Sequence, residues 1–71
     1  MSEARLILFQ REGYFEIEAD YDAEFIAKLK RDTETRYWQP ERKRWWVAIK
    51  ELATVKALAQ EYFEYVSEER V

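Results

Sequence analysis

The stretch Arg36-Tyr37-Trp38-Gln39-Pro40-Glu41-Arg42-Lys43-Arg44-Trp45-Trp46-Val47 constrains the fold more than any other. It holds all three tryptophans, the only proline and three consecutive basic residues. Tyr37, Trp38, Trp45, Trp46 and Val47 suit a pleated, half-buried surface. Between the two runs, Pro40 presets φ for the first central position of a type I turn that Glu41 and Arg42 complete. The stretch therefore predicts a β-hairpin with residues 40–43 as its loop.

Register follows from the loop: Gln39 faces Arg44, Trp38 faces Trp45, and Tyr37 faces Trp46. Opposed residues share a face and successive residues alternate. One face carries Trp38, Trp45, Val47 and Ile49, a predicted core. The other carries Tyr37, Gln39, Arg44, Trp46 and Ala48. That second set is too aromatic for an ordinary solvent face and too basic for a core.

Upstream, Leu6 to Phe9 reads as a strand, and Arg11-Glu12-Gly13 as a loop in which Gly13 takes positive φ. Tyr14 to Ala19 alternates, with Phe15, Ile17 and Ala19 inward and Glu16 and Glu18 outward, the mark of a half-buried antiparallel strand. Asp22 is a good helix N-cap, with Glu24 in the first turn. Tyr21 and Ile26 have the spacing of a hydrophobic staple. The helix is expected over about Ala23 to Lys30, burying Phe25, Ile26 and Leu29. From about Glu51 the apolar positions Leu52, Val55, Leu58, Ala59, Tyr62, Phe63 and Val66 fall on one helical stripe. Ser67 to Val71 reads as a frayed tail.

The order ββαββα predicts an α+β domain: a four-stranded, mostly antiparallel sheet with two helices packed on one face. Seventy-one residues make one small domain, with an ordered core expected over about residues 5–66. A chain of this size buries only about 60% of its unfolded surface, so its core must be dense. The 48% hydrophobic and 17% aromatic content meets that need.

Composition also narrows the chemistry. There is no cysteine and no histidine, which removes thiolate chemistry and the usual general base near neutral pH. A single glycine leaves no phosphate-cradling loop to write. Asp20, Asp22 and Glu24 alternate like calcium ligands, but an EF-hand loop counted from Asp20 puts Phe25 where glycine belongs and Arg31 where glutamate belongs. Glu16 and Glu18 lie close along one strand with no cleft-forming chain around them. These readings lead to a non-enzymatic protein without metal, cofactor or small-molecule substrate. The sequence has no apolar run of signal-peptide or membrane-spanning kind, so a soluble cytoplasmic protein is expected.

The net charge of −3 conceals a segregation: residues 1–27 carry −5, residues 28–50 carry +5 and residues 51–71 carry −3. A cationic segment inside an acidic chain is the footprint of a polyanionic partner.

Tyr21 to Lys30, followed by Arg36 to Val47, resembles the HARP domain. In that family a tyrosine opens a short helix, a W-x-P-E-x-x-x-W-like hairpin follows, and then a further helix. Trp38, Pro40, Glu41 and Trp45 supply the hairpin part here, and the likeness covers roughly residues 15–63. HARP modules stand beside the motor of annealing helicases, and similar stretches precede bacterial and phage helicases. The resemblance implies DNA binding with a preference for branched structures. No ATPase motif accompanies it, so helicase activity is not implied, and a free-standing module serving a phage or bacterial system is the expectation.

Lys30, Arg31, Arg36, Arg42, Lys43 and Arg44 are the candidate phosphate contacts, and Tyr37 and Trp46 the candidate base-stacking rings. For Tyr37 and Trp46, base stacking, a protein interface and ordinary packing all remain open. Two functions follow. One is a nucleic-acid-binding module, with DNA favoured over RNA and single-stranded or branched forms over duplex. The other is a protein-interaction adaptor or small regulator using the same patch against an acidic partner or a second copy of itself. Reversing the charge of Arg42, Lys43 and Arg44 together is expected to abolish binding without unfolding the domain.

Overall fold

The computed structural model describes residues 2–71; Met1, the start of the expected domain, lies outside them. The chain runs β1 (Glu3–Phe9), β2 (Tyr14–Ala19), α1 (Ala23–Asp32), β3 (Arg36–Gln39), β4 (Arg44–Ala48), α2 (Leu52–Tyr62) and β5 (Tyr65–Arg70). The α+β class holds, but the sheet is five-stranded and mixed, in the order β3-β4-β2-β1-β5. β1–β2, β2–β4 and β3–β4 pair antiparallel, while β5 lies parallel to β1.

The extra strand takes in most of the tail expected to fray, Ser67 to Val71, together with Tyr65 and Val66 before it. Its sequence, Tyr-Val-Ser-Glu-Glu-Arg, is too charged to read as a strand, and that is the composition an edge strand tolerates. Tyr65 N–H donates to Ser2 O at 3.2 Å and Val71 N–H to Leu8 O at 3.0 Å, so β1 holds it along its length. Val66 belongs to this strand and not to the α2 stripe, because α2 stops at Tyr62 with Phe63 extended as its C-cap. It still reaches the core, from the sheet side.

The hairpin register is the predicted one: Gln39↔Arg44, Trp38↔Trp45 and Tyr37↔Trp46. Gln39 O accepts from Arg42 N–H at 3.2 Å and from Lys43 N–H at 2.8 Å, and Lys43 takes φ +54° to close the loop. At the first hairpin a 3₁₀ turn (Gln10–Glu12) replaces the open loop and ends on Gly13 at φ +84°.

α1 begins as expected, with Asp22 Oδ1 accepting from Phe25 N–H at 3.0 Å. It ends two residues later than predicted, where Thr33 Oγ1 donates to Leu29 O at 2.6 Å. The following connector is fixed by Glu51, which accepts from Glu34 N–H and Thr35 N–H at 2.9 Å each and from Thr35 Oγ1 at 2.6 Å. Burial pushes the Glu51 carboxyl up, but the Thr35 and Glu34 bonds outweigh it and leave its pKa lowered.

Both helices contribute to one core. Phe25 and Leu29 of α1 and Val55, Leu58 and Ala59 of α2 meet Ala4, Leu6, Leu8, Phe15, Ile17 and Val47, the alternating residues of the three central strands. Trp45 and Ile49 are partly buried against this cluster, but Trp38 is not part of it. At 45% exposure Trp38 is a surface residue, contrary to the core reading. Register placed it correctly on the helix-side face; its position on the edge strand β3, beyond the helix layer, leaves it uncovered.

Candidate nucleic-acid interface

The sheet face opposite the helices is built in two halves. One half is a ladder of rings running across four strands. Phe9 and Tyr14 stack at 4.8 Å between centroids, Tyr14 and Trp46 at 5.4 Å, and Trp46 and Tyr37 at 5.2 Å. Phe9↔Tyr14 and Tyr37↔Trp46 are directly opposed pairs, while Tyr14 reaches Trp46 diagonally because Ala48 lies opposite it. Both faces of Trp46 are thus taken by neighbouring rings, and a base meets only its edge. Tyr37 ends the ladder on the edge strand and is 56% exposed.

The other half is ionic. Glu16 is outward by alternation, as predicted, yet only 2% exposed. Its Oε1 accepts from Arg42 Nη2 at 2.8 Å and Arg44 Nη1 at 3.0 Å, and its Oε2 from Gln39 Nε2 at 3.1 Å. Glu18 accepts from Arg44 Nε at 3.1 Å and pairs with Arg5 at 2.9 Å, and Arg5 lies 3.8 Å from Glu69. Burial alone pushes the Glu16 carboxyl up; the bonds from Gln39, Arg44 and Arg42 prevail, so its pKa is lowered. The hydrogen bond that Arg44 donates to Glu16, aided by the one to Glu18, outweighs burial and raises the pKa of Arg44.

The candidate cations therefore divide. Arg44 is structural: its side chain is 21% exposed and held by two glutamates. Arg42 is held by one contact to Glu16 and its side chain remains 50% exposed, so a guanidinium with five donors still has several facing solvent. Arg36 lies on the helix-side face opposite Val47 and donates to Thr33 O at 2.8 Å. Arg31 pairs with Asp32 at 2.7 Å. Lys30 and Lys43 are exposed and make no ion pair among the described residues.

This distribution corrects the proposed triple charge reversal. A glutamate at position 44 would stand beside Glu16 and Glu18 and damage the fold itself. Glu16 was missed as a site residue because its partners depend on β4 lying next to β2, and that strand order was open. Among the described residues no three acidic side chains converge as a metal set, and no helix is long and apolar enough to cross a membrane. Comparison with protein-family models, curated proteins and solved structures returned no match.

Proposed function

We propose that the protein is a non-enzymatic nucleic-acid-binding module that holds single-stranded or branched DNA against the tip of its tryptophan-rich hairpin. The observation that carries this reading is the pairing of exposed rings with exposed cations on one hairpin. Tyr37 and Trp38 are both exposed on β3, and Arg42 and Lys43 are exposed in the loop that follows. Cations supply salt-sensitive attraction to phosphate, and rings supply sequence-tolerant contact with unpaired bases. The HARP-like hairpin and helix pattern supports the same reading and favours branched substrates. Arg44 and Trp46 act here as framework, and the working contacts are Lys30, Tyr37, Trp38, Arg42 and Lys43. A module of this kind serves a phage or bacterial DNA transaction whose motor is supplied by another protein.

Fluorescence anisotropy of labelled single-stranded, duplex and forked DNA, at low and moderate salt, tests the proposal. Binding that weakens steeply with salt and favours forked or single-stranded DNA is expected. Charge reversal at Lys30 and Lys43, which leaves the Glu16 network intact, should remove it. Absence of binding at low salt rejects the reading.

A second reading, a protein-interaction adaptor, draws on the neutralisation of Arg42 and Arg44 by Glu16 and on exposed tyrosines at both sheet edges, Tyr37 and Tyr65. A concentration-dependent dimer in sedimentation, with no nucleic-acid affinity, is its signature.

A further inference from the structure

On the helix side of the sheet, a groove of about 370 Å³ opens between the hairpin tip and the start of α1. Its floor includes Ile17, Phe25 and Ile26, and its walls are the rings of Tyr21, Trp38 and Trp45, with Pro40 beside them. Tyr21 is why it is open. As the residue before the N-cap it has the spacing to close a staple on Ile26, yet it is 84% exposed. Trp38 stands across from it on the uncovered edge strand, with Trp45 at 5.4 Å and tilted 58°.

We propose that this groove receives one unpaired nucleobase, stacked against Trp38 and flanked by Tyr21, while Lys43 contacts the adjoining phosphate. The inference rests on the nucleic-acid reading above and names the site at which that reading acts on a base. Three observations select this occupant. The volume lies at the low end of small-molecule sites, about 300–1,000 Å³, and is too small for a helix about 10 Å across. The walls are aromatic, and every base has a π-face to set against them. The charge at the rim fits as well. Lys43 lines the groove, whereas its neighbour Arg42 turns to Glu16 on the opposite face. One cation of the tip thus lies on each side of the sheet, with Lys43 at φ +54°. Asp20 also lines the groove, but its Oδ2 is engaged by Glu3 N–H at 3.0 Å.

The decisive comparison uses a short labelled single strand and its abasic counterpart, which keeps the sugar-phosphate chain and lacks bases. Anisotropy titrations of the intact protein should show about 5- to 100-fold tighter binding to the base-bearing strand, the scale of one base–aromatic stack. Trp38→Ala and Tyr21→Ala should reduce that preference towards unity while retaining the weaker, salt-sensitive affinity for the abasic strand. Trp38→Phe should restore part of it. Both positions are exposed, and thermal melts of each variant confirm that the fold is kept. Equal affinity of the wild type for both strands, or a preference that survives Trp38→Ala, overturns the groove assignment alone. Failure of both strands to bind at low salt rejects the nucleic-acid reading with it. A dimer that shields Trp38 from solution quenchers without any DNA affinity overturns the inference in favour of a protein contact.

Discussion

Glu16 Oε1 lies 3.0 Å from Arg44 Nη1 on the sheet face opposite the helices, joining β2 to β4 at a carboxylate that is almost wholly buried. The same oxygen meets Arg42 of the hairpin loop, so one acid ties three segments together. Two guanidinium groups and an amide replace the water that a buried carboxylate loses, and the ionised form is thereby retained.

That arrangement makes stability pH-dependent. The Glu16 and Glu51 carboxyls both lie below their ordinary value of 4.5 in the folded protein. Their stabilisation is therefore fully present above about pH 4.5 and is lost as pH falls through the depressed folded values. Thermal melts between neutral pH and pH 3 should show a steep acid limb. Glu16→Gln should cost about 2 kcal/mol or more at neutral pH, less than the roughly 3–5 kcal/mol of a fully buried pair because Arg42 is half in water. Its acid limb should be shallower than that of the wild type. An unchanged limb would exclude Glu16 as a source of the pH dependence.

Glu16 also masks the hairpin cations, and the binding consequence is opposite in sign to the stability consequence. Releasing Arg42 and Arg44 from a carboxylate raises the positive potential at the tip. Glu16→Gln should bind single-stranded DNA several-fold more tightly at low salt, with the slope of log K against log salt steeper by about 0.7 per additional phosphate contact. A less stable variant that binds better is hard to explain by general disruption. Unchanged binding would place the DNA contact away from this hairpin.

Gly13 ends the 3₁₀ turn at φ +84°, with its N–H donating to Phe9 O at 3.0 Å. A Cβ at this position meets nothing within 4 Å. Gly13→Ala should therefore cost only the backbone preference, about 1 kcal/mol, and leave binding untouched. Chemical denaturation measures it, and a much larger loss would mean that the turn rearranges.

The hairpin was legible in the sequence because its register depends on local information: a proline at the turn and aromatic types on either side. The Asp22 cap and most of the apolar stripe on α2 were legible for the same reason. What escaped depends on neighbours distant in sequence. Trp38 alternates onto the core side, but only the position of β3 at the sheet edge shows that it stays largely exposed. Glu16 alternates outward, and only the placement of β4 beside β2 shows that it is buried among arginines. Tyr21 has staple spacing, which specifies proximity to Ile26 without specifying closure. β5 was hidden because an edge strand carries charge, and Glu68, Glu69 and Arg70 resemble a solvated tail. Lys56, which pairs with Glu68 at 2.8 Å, is the partner that sequence alone does not supply.

β5 yields the sharpest test of the fold. If residues 65–71 formed no strand, deleting them would not expose the edge of β1 or provoke association. In the observed sheet, deletion removes the parallel pairing of β1 with β5 and the contact of Val66 with the core. Val66 is partly buried, and its apolar term alone is about 1 kcal/mol or more, a sizeable share of the roughly 4–10 kcal/mol expected for a domain of this size. Truncation should lower the melting temperature by at least about 4 °C on the scaling of roughly 4–8 °C per kcal/mol for small domains. It also opens the β1 edge beside Leu6, Ile7 and Leu8, and an unpaired apolar edge recruits other chains. Sedimentation of the truncated protein should therefore show concentration-dependent association absent from the full chain, and a stable monomer with unchanged melting would contradict the five-stranded sheet.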